Sequence, residues 1–564
     1  MDKRKKITLF IILFLIAVKL FLVRNQPVFG IVTDTFDDRH FINQARSLLA
    51  GIWLGSYNQT TLIKGPFFPI WIAFSFLLGI PLIISEQLFY IFACVILIIA
   101  LQPVLSRVEY TLILLTLLLF NPMTYDTDAF TRVIRDPIYV SLCILVLACS
   151  IALFLRRQRP FTKSVPWAIS LGFAFSASAL TREETIWLIP PLLFIFILFT
   201  IGLKGVQPRR LISSLSLWGF LPAIYLLTFV IVSALNYKYY SLFNVTEMGA
   251  PEFVSAYSAL ERVVPAQFMQ FIPITRETRL RIYAVSPAFE ELKPYLDGPK
   301  GDYWSKMTIA GAGLPKGEIA GGWFIWAFRE AVAYAGHYSN SKFPADYYRT
   351  LTNEVNTACD TGKLKCLSKS ASLTPAWNKA YINPVIESFI SGITFGISFK
   401  GFYPYPSNSE LDDTGKGELL FNDLTQTELS NGGLVYQERY NYFKMSILET
   451  IGRLYQDAFL WFTILAAVFF LILTVRIRKM YDAWGIIALI ALTILSRIGL
   501  LSVINATSFP AINTTYLSPA YPLIIVFTSF TLIITFDYLL QRYQYSKRKS
   551  MEIEDLQTVG VKDR

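Results

Sequence analysis

Histidine is almost absent from this chain: His40 and His337 are the only two in 564 residues. No His-rich metal site can be built from them, so any bound ion must rest largely on carboxylates. Cysteine is scarce as well, at five, too few and too scattered for a small disulfide scaffold. No internal repeat of fixed period and no low-complexity tract is found. The short alternating segments of a membrane β-barrel are also missing. Charged residues make up only 16% of the chain, while 54% is apolar, 15% aromatic, and the mean hydropathy is +0.46. Apolar stretches approaching the roughly 20 residues that cross a bilayer recur about ten times. They exclude a disordered or collagen-like chain and establish an integral, α-helical membrane protein.

The net charge of +11 raises the question of nucleic acid, and its distribution answers it. Residues 237–450 carry 20 Lys and Arg against 22 Asp and Glu, so the whole surplus lies elsewhere. It sits beside the apolar runs, at Lys3–Lys6, Arg156-Arg157-Gln158-Arg159, Lys204 with Arg209-Arg210, Arg476 with Arg478-Lys479, and Lys547-Arg548-Lys549. This is the positive-inside pattern of cytoplasmic loops, and no nucleic-acid partner is expected.

Placing each basic cluster inside orients the chain. Ile7 to Val23 spans as an uncleaved anchor, and Arg24 to Gly65 lies outside, with an amphipathic stretch from Phe41 to Leu54 along the interface. Pro137–Leu155, Val165–Leu180, Ile186–Leu203 and Leu211–Leu235 then alternate across the bilayer. The expected organisation is a transmembrane module with catalytic outer loops over 1–236, an extracytoplasmic domain over 237–450, C-terminal transmembrane helices over 451–540, and a disordered cytoplasmic tail over 541–564. Roughly ten to eleven spans are expected. The stretches 66–84, 86–105 and 109–120 must cross an even number of times if Gly65 and Asp136 are both outside. One of the three is therefore re-entrant or tilted.

Cys94, Cys143 and Cys149 fall in apolar spans, where a small buried hydrophobe is expected. Cys359 and Cys366 lie seven residues apart in the outer domain, where an oxidising compartment permits a bridge. Closing so short a loop stabilises by roughly 2 to 3 kcal/mol in the chain-entropy model.

Four polar groups gather at outer ends of apolar spans. Asp37-Asp38-Arg39-His40 precedes the interfacial stretch, where an Asp also suits a helix cap. Lys64-Gly65-Pro66 puts a cation on the face where positive charge is disfavoured. Asp126 and Asp128, spaced by one residue, offer a hard divalent cation two carboxylates, and Asp136 heads a helix after Arg135. Arg182-Glu183-Glu184 ends an outward span, and Arg497 lies near the outer end of a later one. Arginine suits phosphate through paired charge-assisted hydrogen bonds, although both side chains are also placed to snorkel.

Asp37-Asp38 after the first span, Lys64-Gly65-Pro66 opening the next run, and Arg135-Asp136-Pro137 after Asn121-Pro122 resemble the polyprenyl-phosphate-dependent glycosyltransferases of the GT-C superfamily. The pattern is similar to that of protein O-mannosyltransferases and lipid A aminoarabinose transferases, over roughly residues 1–200. The resemblance implies a catalytic carboxylate at Asp37 or Asp38, with Asp38 slightly favoured, a phosphate contact at Lys64, and a second acidic site at Asp136. Gly65 departs from the family pattern by separating the lysine from the proline, and the insertion matches no domain of the family.

The chemistry is consistent with those residue types. A sugar on a lipid phosphate already carries a good leaving group, so cations for the departing phosphate and a base for the acceptor hydroxyl suffice. Lys64, Arg182 and Arg497 are the candidate cations, and a divalent metal on Asp126 and Asp128 is the one cofactor the sequence offers. The expectation is an inverting transferase in a bacterial plasma membrane, taking a polyprenyl-phosphate-linked sugar donor and acting on a glycan, lipid or protein acceptor at the outer face. Two other classes share this composition: a transporter or flippase of lipid-linked saccharides, and a membrane-anchored carbohydrate-binding or assembly protein. The first tends to carry repeats and midplane carboxylates; the second would place its work in the outer domain.

Overall fold

The computed structural model describes residues 3–339, 342–405, 407–430, 435–475 and 481–562, with backbone alone at 3, 309–312, 435–441 and 548–562. The described chain is almost wholly helical. The first half contains α1 (Lys3–Val23), α2 (Asp38–Leu49), α3 (Phe67–Leu77), α4 (Leu82–Leu101), α5 (Val108–Leu119), α6 (Asp136–Leu155), α7 (Phe161–Thr181), α8 (Ile189–Ile201), α9 (Pro208–Ser216) and α10 (Phe220–Tyr240). The insertion opens with α11 (Pro251–Glu261), α12 (Arg276–Tyr283), α13 (Pro287–Glu290), α14 (Lys293–Leu296), α15 (Pro299–Ala312), α16 (Gly321–Tyr334) and α17 (Ala345–Asp360). It closes with α18 (Ile382–Ile397) and α19 (Lys416–Thr425), and the C-terminal part holds α20 (Val435–Thr474), α21 (Tyr481–Thr507), α22 (Thr514–Leu517) and α23 (Ala520–Lys562).

Ten of the described helices are long and apolar enough to span a bilayer, where only closed hydrogen-bonding patterns such as the α-helix are tolerated. Their outward faces are hydrocarbon: Phe10, Leu13 and Phe14 on α1, Leu226 and Leu227 on α10, and Trp461 and Leu471 on α20 are all exposed. Ten crossings return both termini to the same side. The odd stretch among residues 66–120 is the first. α3 has 11 residues, about 16 Å of helix against a hydrocarbon core of about 30 Å, whereas α4 and α5 belong to spanning segments.

The bundle is built around α6. Every one of its 20 residues except Leu155 is buried, and it packs against α4, α7 and α8. At its far end Arg156 donates to the carbonyls of Ala100 (2.9 Å) and Ile99 (2.7 Å), satisfying acceptors that the end of α4 leaves open. Its other end, Asp136, faces the insertion.

The sequence suggests one domain over 237–450, but the chain divides it. Residues from Tyr240 to Leu364 form a core of their own, with Phe253, Tyr257, Phe324, Phe328, Tyr348 and Leu351 at its centre, and Leu54, Tyr57 and Leu62 of the first loop belong to that core. The rest returns to the bundle. α18 packs on α21, α19 packs on α2 and α3, and bridges join Ile31 to Glu410 and Val28 to Leu429. Cys359 and Cys366 are bonded, with Cα atoms 5.6 Å apart, and Cys366 pairs antiparallel with Val263. Where a disordered tail is expected from 541, α23 continues as helix to Lys562. Arg476, Arg478 and Lys479 lie outside the described residues, as do the side chains of Lys3, Arg548 and Lys549.

Candidate active site

Between the end of α6 and the insertion lies a cavity of about 550 Å³, lined on one wall by Asp37, Lys64, Arg132, Arg135, Asp136, Arg182 and Glu184. Four separate loops converge there. The turn before α2 delivers Asp37. This residue stands at the N-cap position but makes no side-chain cap bond; its carboxylate pairs instead with the Lys64 ammonium. The Asp37 side chain keeps 40% exposure while Lys64 is 6% exposed, so the carboxylate is the open member of the pair. Burial alone would raise the Asp37 carboxyl, yet Lys64, Arg135 and Arg132 outweigh it and hold it down at about 2. Lys64 is lowered by burial against the pull of Asp37, and the rings of Phe41 and Trp326 lie 5.3 and 5.9 Å from its nitrogen.

Gly65 explains its place between the lysine and the proline. A Cβ at this position would collide with the carbonyl of Leu180 at the end of α7. Glycine lets the loop press directly on that helix, and Lys64 and Arg182 line the same cavity.

Asp136 is the first residue of α6, where a carboxylate is favoured. Arg182 donates to both its oxygens, at 2.6 and 2.7 Å, and to Glu184 at 2.6 Å. Arg135 donates to the Thr181 carbonyl at 2.7 Å and to Glu183 at 3.2 Å. The α6 terminus is thus ringed by two arginines and three carboxylates, close to charge balance before any ligand enters.

Four expected site residues sit elsewhere. Asp38 does not line the cavity: its side chain is fully buried, held by Arg132 through contacts of 2.8 to 3.1 Å and by the Ile31 amide at 2.8 Å. Burial, opposed by Arg132, raises it to about 6. It fixes Arg132 and the Ile31 turn, and of the two adjacent carboxylates only Asp37 lines the cavity. Arg497 is also fully buried. It donates to the Tyr516 carbonyl at 3.1 and 2.7 Å and lies 3.6 Å from Glu184, so it braces the wall from behind.

Asp126 spends both oxygens on backbone amides, taking Asp128 and Ala129 on one and Tyr403 on the other, at 2.9 to 3.1 Å. Burial raises this carboxyl to about 7. Asp128 is exposed, and the pair does not fit a metal. Among the described residues no group of three or more His, Cys, Asp or Glu side chains is placed to hold one.

Sequence reasoning missed Arg132 and Trp326 and gave no site role to Glu184 or Tyr516. Arg132 carried a signal, being a charge in an outer loop three residues before the Arg135-Asp136 pair; Trp326 carried none.

Just below the charged wall, a second cavity of about 490 Å³ runs along α4, α6 and α7, from Phe67 and Ala177 down to Cys149 and Trp167, and is lined almost wholly by apolar side chains. Its upper end begins three residues past Lys64 and five before Arg182.

No family model and no curated protein matches the chain. Two solved structures are similar to it at 15% identity, covering 93% of this chain and 77% of the other. They are ArnT from Cupriavidus metallidurans in the apo state, at a TM-score of 0.31, and the same protein bound to undecaprenyl phosphate, at 0.32. The likeness is distant.

Proposed function

We propose that the protein is a GT-C-like membrane glycosyltransferase that moves a sugar from a polyprenyl phosphate to an acceptor hydroxyl at the outer face of the membrane, with inversion. One observation carries the reading: an open carboxylate paired to a lysine, ringed by arginines, directly above an apolar groove within the bundle. Such a site takes an anionic head with a long hydrocarbon tail. The phosphate is held by Lys64 and Arg135, with Arg182 ordering Asp136 beside them, and the polyprenyl chain follows the groove between α4, α6 and α7.

Asp37 is the base. In the empty site it is too strongly ion-paired to accept a proton readily. A donor phosphate competes for Lys64, relieves the pairing and raises the basicity of the carboxylate. The acceptor oxygen then bonds to the anomeric carbon as its proton passes to Asp37, and the carbon–oxygen bond to the phosphate breaks with its electron pair on the departing lipid phosphate. Cations preplaced at that oxygen stabilise the charge as it develops.

The test is purified protein in lipid nanodiscs with a panel of polyprenyl-phosphate sugars, following release of the lipid phosphate. Asp37→Asn lowers turnover by about 10² to 10⁴, the usual worth of general-base help, while donor binding persists. Lys64→Ala weakens both. Undiminished turnover in Asp37→Asn and Asp136→Asn alike would remove this site.

A further inference from the structure

The lining of this cavity is of two kinds. Its charges come from the loops around the start of α6. A second group is neutral: Trp323 at the start of α16, and Ser508, Phe509, Asn513 and Thr515 from the segment joining α21 to α23, whose Tyr516 ring lies 5.3 Å from the Arg182 guanidinium. Trp323 and Trp326 are half-buried and three residues apart on α16, so they share a helix face. They serve different ends of the cavity. Trp326 lies over Lys64 and against Phe36, with ring centroids 5.3 Å apart. Trp323 meets Phe509 edge-on at 6.0 Å, and Phe509 continues to Tyr516 at 5.4 Å.

The neutral wall is held together. The Gly322 amide donates to the Ser508 carbonyl at 3.2 Å, and any Cβ at Gly322 would strike the Phe509 ring. Glycine therefore permits α16 and the 508–516 segment to close on each other. Asn513 accepts the Tyr516 amide through its side-chain oxygen, at 3.0 Å, which leaves its amide nitrogen as a donor.

We infer that the acceptor is an uncharged saccharide, bound with a ring face against Trp323 and its hydroxyls among Ser508, Asn513 and Thr515. This rests on the transferase reading above. A flat aromatic surface flanked by neutral hydrogen-bonding groups matches a ring with an apolar C–H face and a polar rim. Strand addition of an extended peptide takes a sheet edge, which the described residues do not offer, since they contain isolated bridges but no strand. An anionic acceptor would compete with the donor phosphate for the same cations.

The experiment uses the full chain in membranes of its own organism, supplied with polyprenyl-phosphate donor carrying a radiolabelled sugar. The products are then split into solvent-extractable lipid, protease-sensitive material and protease-resistant glycan. Label is expected in the glycan fraction, and label following protein or lipid overturns the inference while leaving the transferase reading intact. If no lipid phosphate is released and no fraction is labelled, the transferase reading itself fails. With the labelled glycan fraction as acceptor, Trp323→Ala raises the acceptor concentration for half-maximal transfer on the order of tenfold, and Trp323→Phe recovers most of it. A thermal-unfolding check confirms that both variants fold. A shift confined to donor half-saturation, or no shift at all, also overturns it.

Discussion

Asp37 and Asp38 are neighbours with opposite fates, and the difference lies in the direction of one turn. Asp38 is the first residue of α2 and points into the protein, where Arg132 and the Ile31 amide consume its oxygens; Asp37 is left on the cavity. Sequence order cannot tell which of two adjacent carboxylates faces a ligand, since that depends on φ and ψ at the entry to the helix. The same limit explains Arg497, whose position near the outer end of its span was legible but whose inward face was not. Lys64, Asp136 and Arg182 were legible because a charge at the end of an apolar run is costly unless it has work to do.

The Asp37–Lys64 pairing gives a pH signature. Because its pKa in the free protein lies below the ordinary carboxylate range, at about 2, the pairing stabilises the fold above pH 4, and this contribution is lost as the pH falls toward 2. Catalysis should show two different acid limbs. kcat/KM reports the free protein and falls only at very low pH, whereas kcat reports the donor complex, in which Lys64 is drawn to the phosphate, so its limb lies at higher pH. Coincident limbs in steady-state profiles would mean that the donor leaves this ion pair undisturbed.

At the scale of elements, hydropathy located the spanning helices well but could not choose the odd stretch between Gly65 and Asp136. All three candidates are apolar, and α3 is distinguished by length alone, once its bounds at Phe67 and Leu77 are fixed by Pro66 before it and by the turn at Gly79, where φ is +67°. α5 itself has 12 residues, and its span is completed by a 3₁₀ turn at Pro122–Tyr125. A direct check follows from α3 not crossing. In a background without Cys94, Cys143 and Cys149, a single cysteine at exposed Leu78, or at exposed Asp346 in the insertion, should react with an impermeant thiol reagent from outside, and one at Lys204 only from inside. Leu78 labelled from inside would make α3 a crossing helix and place Lys64 and Asp136 on opposite faces.

Over the whole molecule, the insertion is fastened to the first loop through a buried cluster that composition did not reveal. Glu247 and Arg329 pair at 2.7 Å with 0% and 1% side-chain exposure. Tyr57 and Tyr338 donate to the same glutamate, and Arg329 reaches the Gln59 carbonyl. The Glu247 amide bonds Leu62, two residues before Lys64, at 2.8 Å. The contacts to Tyr57 and Gln59 of the first loop span 190 and 270 positions, a separation no local pattern reports. Removing one partner of such a pair commonly costs about 3 to 5 kcal/mol, because the other charge is left buried and alone. Arg329→Ala should therefore lower the unfolding temperature markedly and weaken donor binding through Lys64, with Glu247→Gln milder in both. Thermal unfolding and donor titration of the two variants at parental values would show that the cluster fastens nothing.

The central helix has a mechanical meaning as well. α6 is enclosed along its length and tied by Arg156 to the carbonyls of α4 at the far side of the bundle. It behaves as a post driven through the membrane, with Arg135 and Asp136 at its cap. A post packed on every side has little compliance, so in the proposed reaction it is the insertion and the loops above it that admit a bulky donor and release the spent lipid.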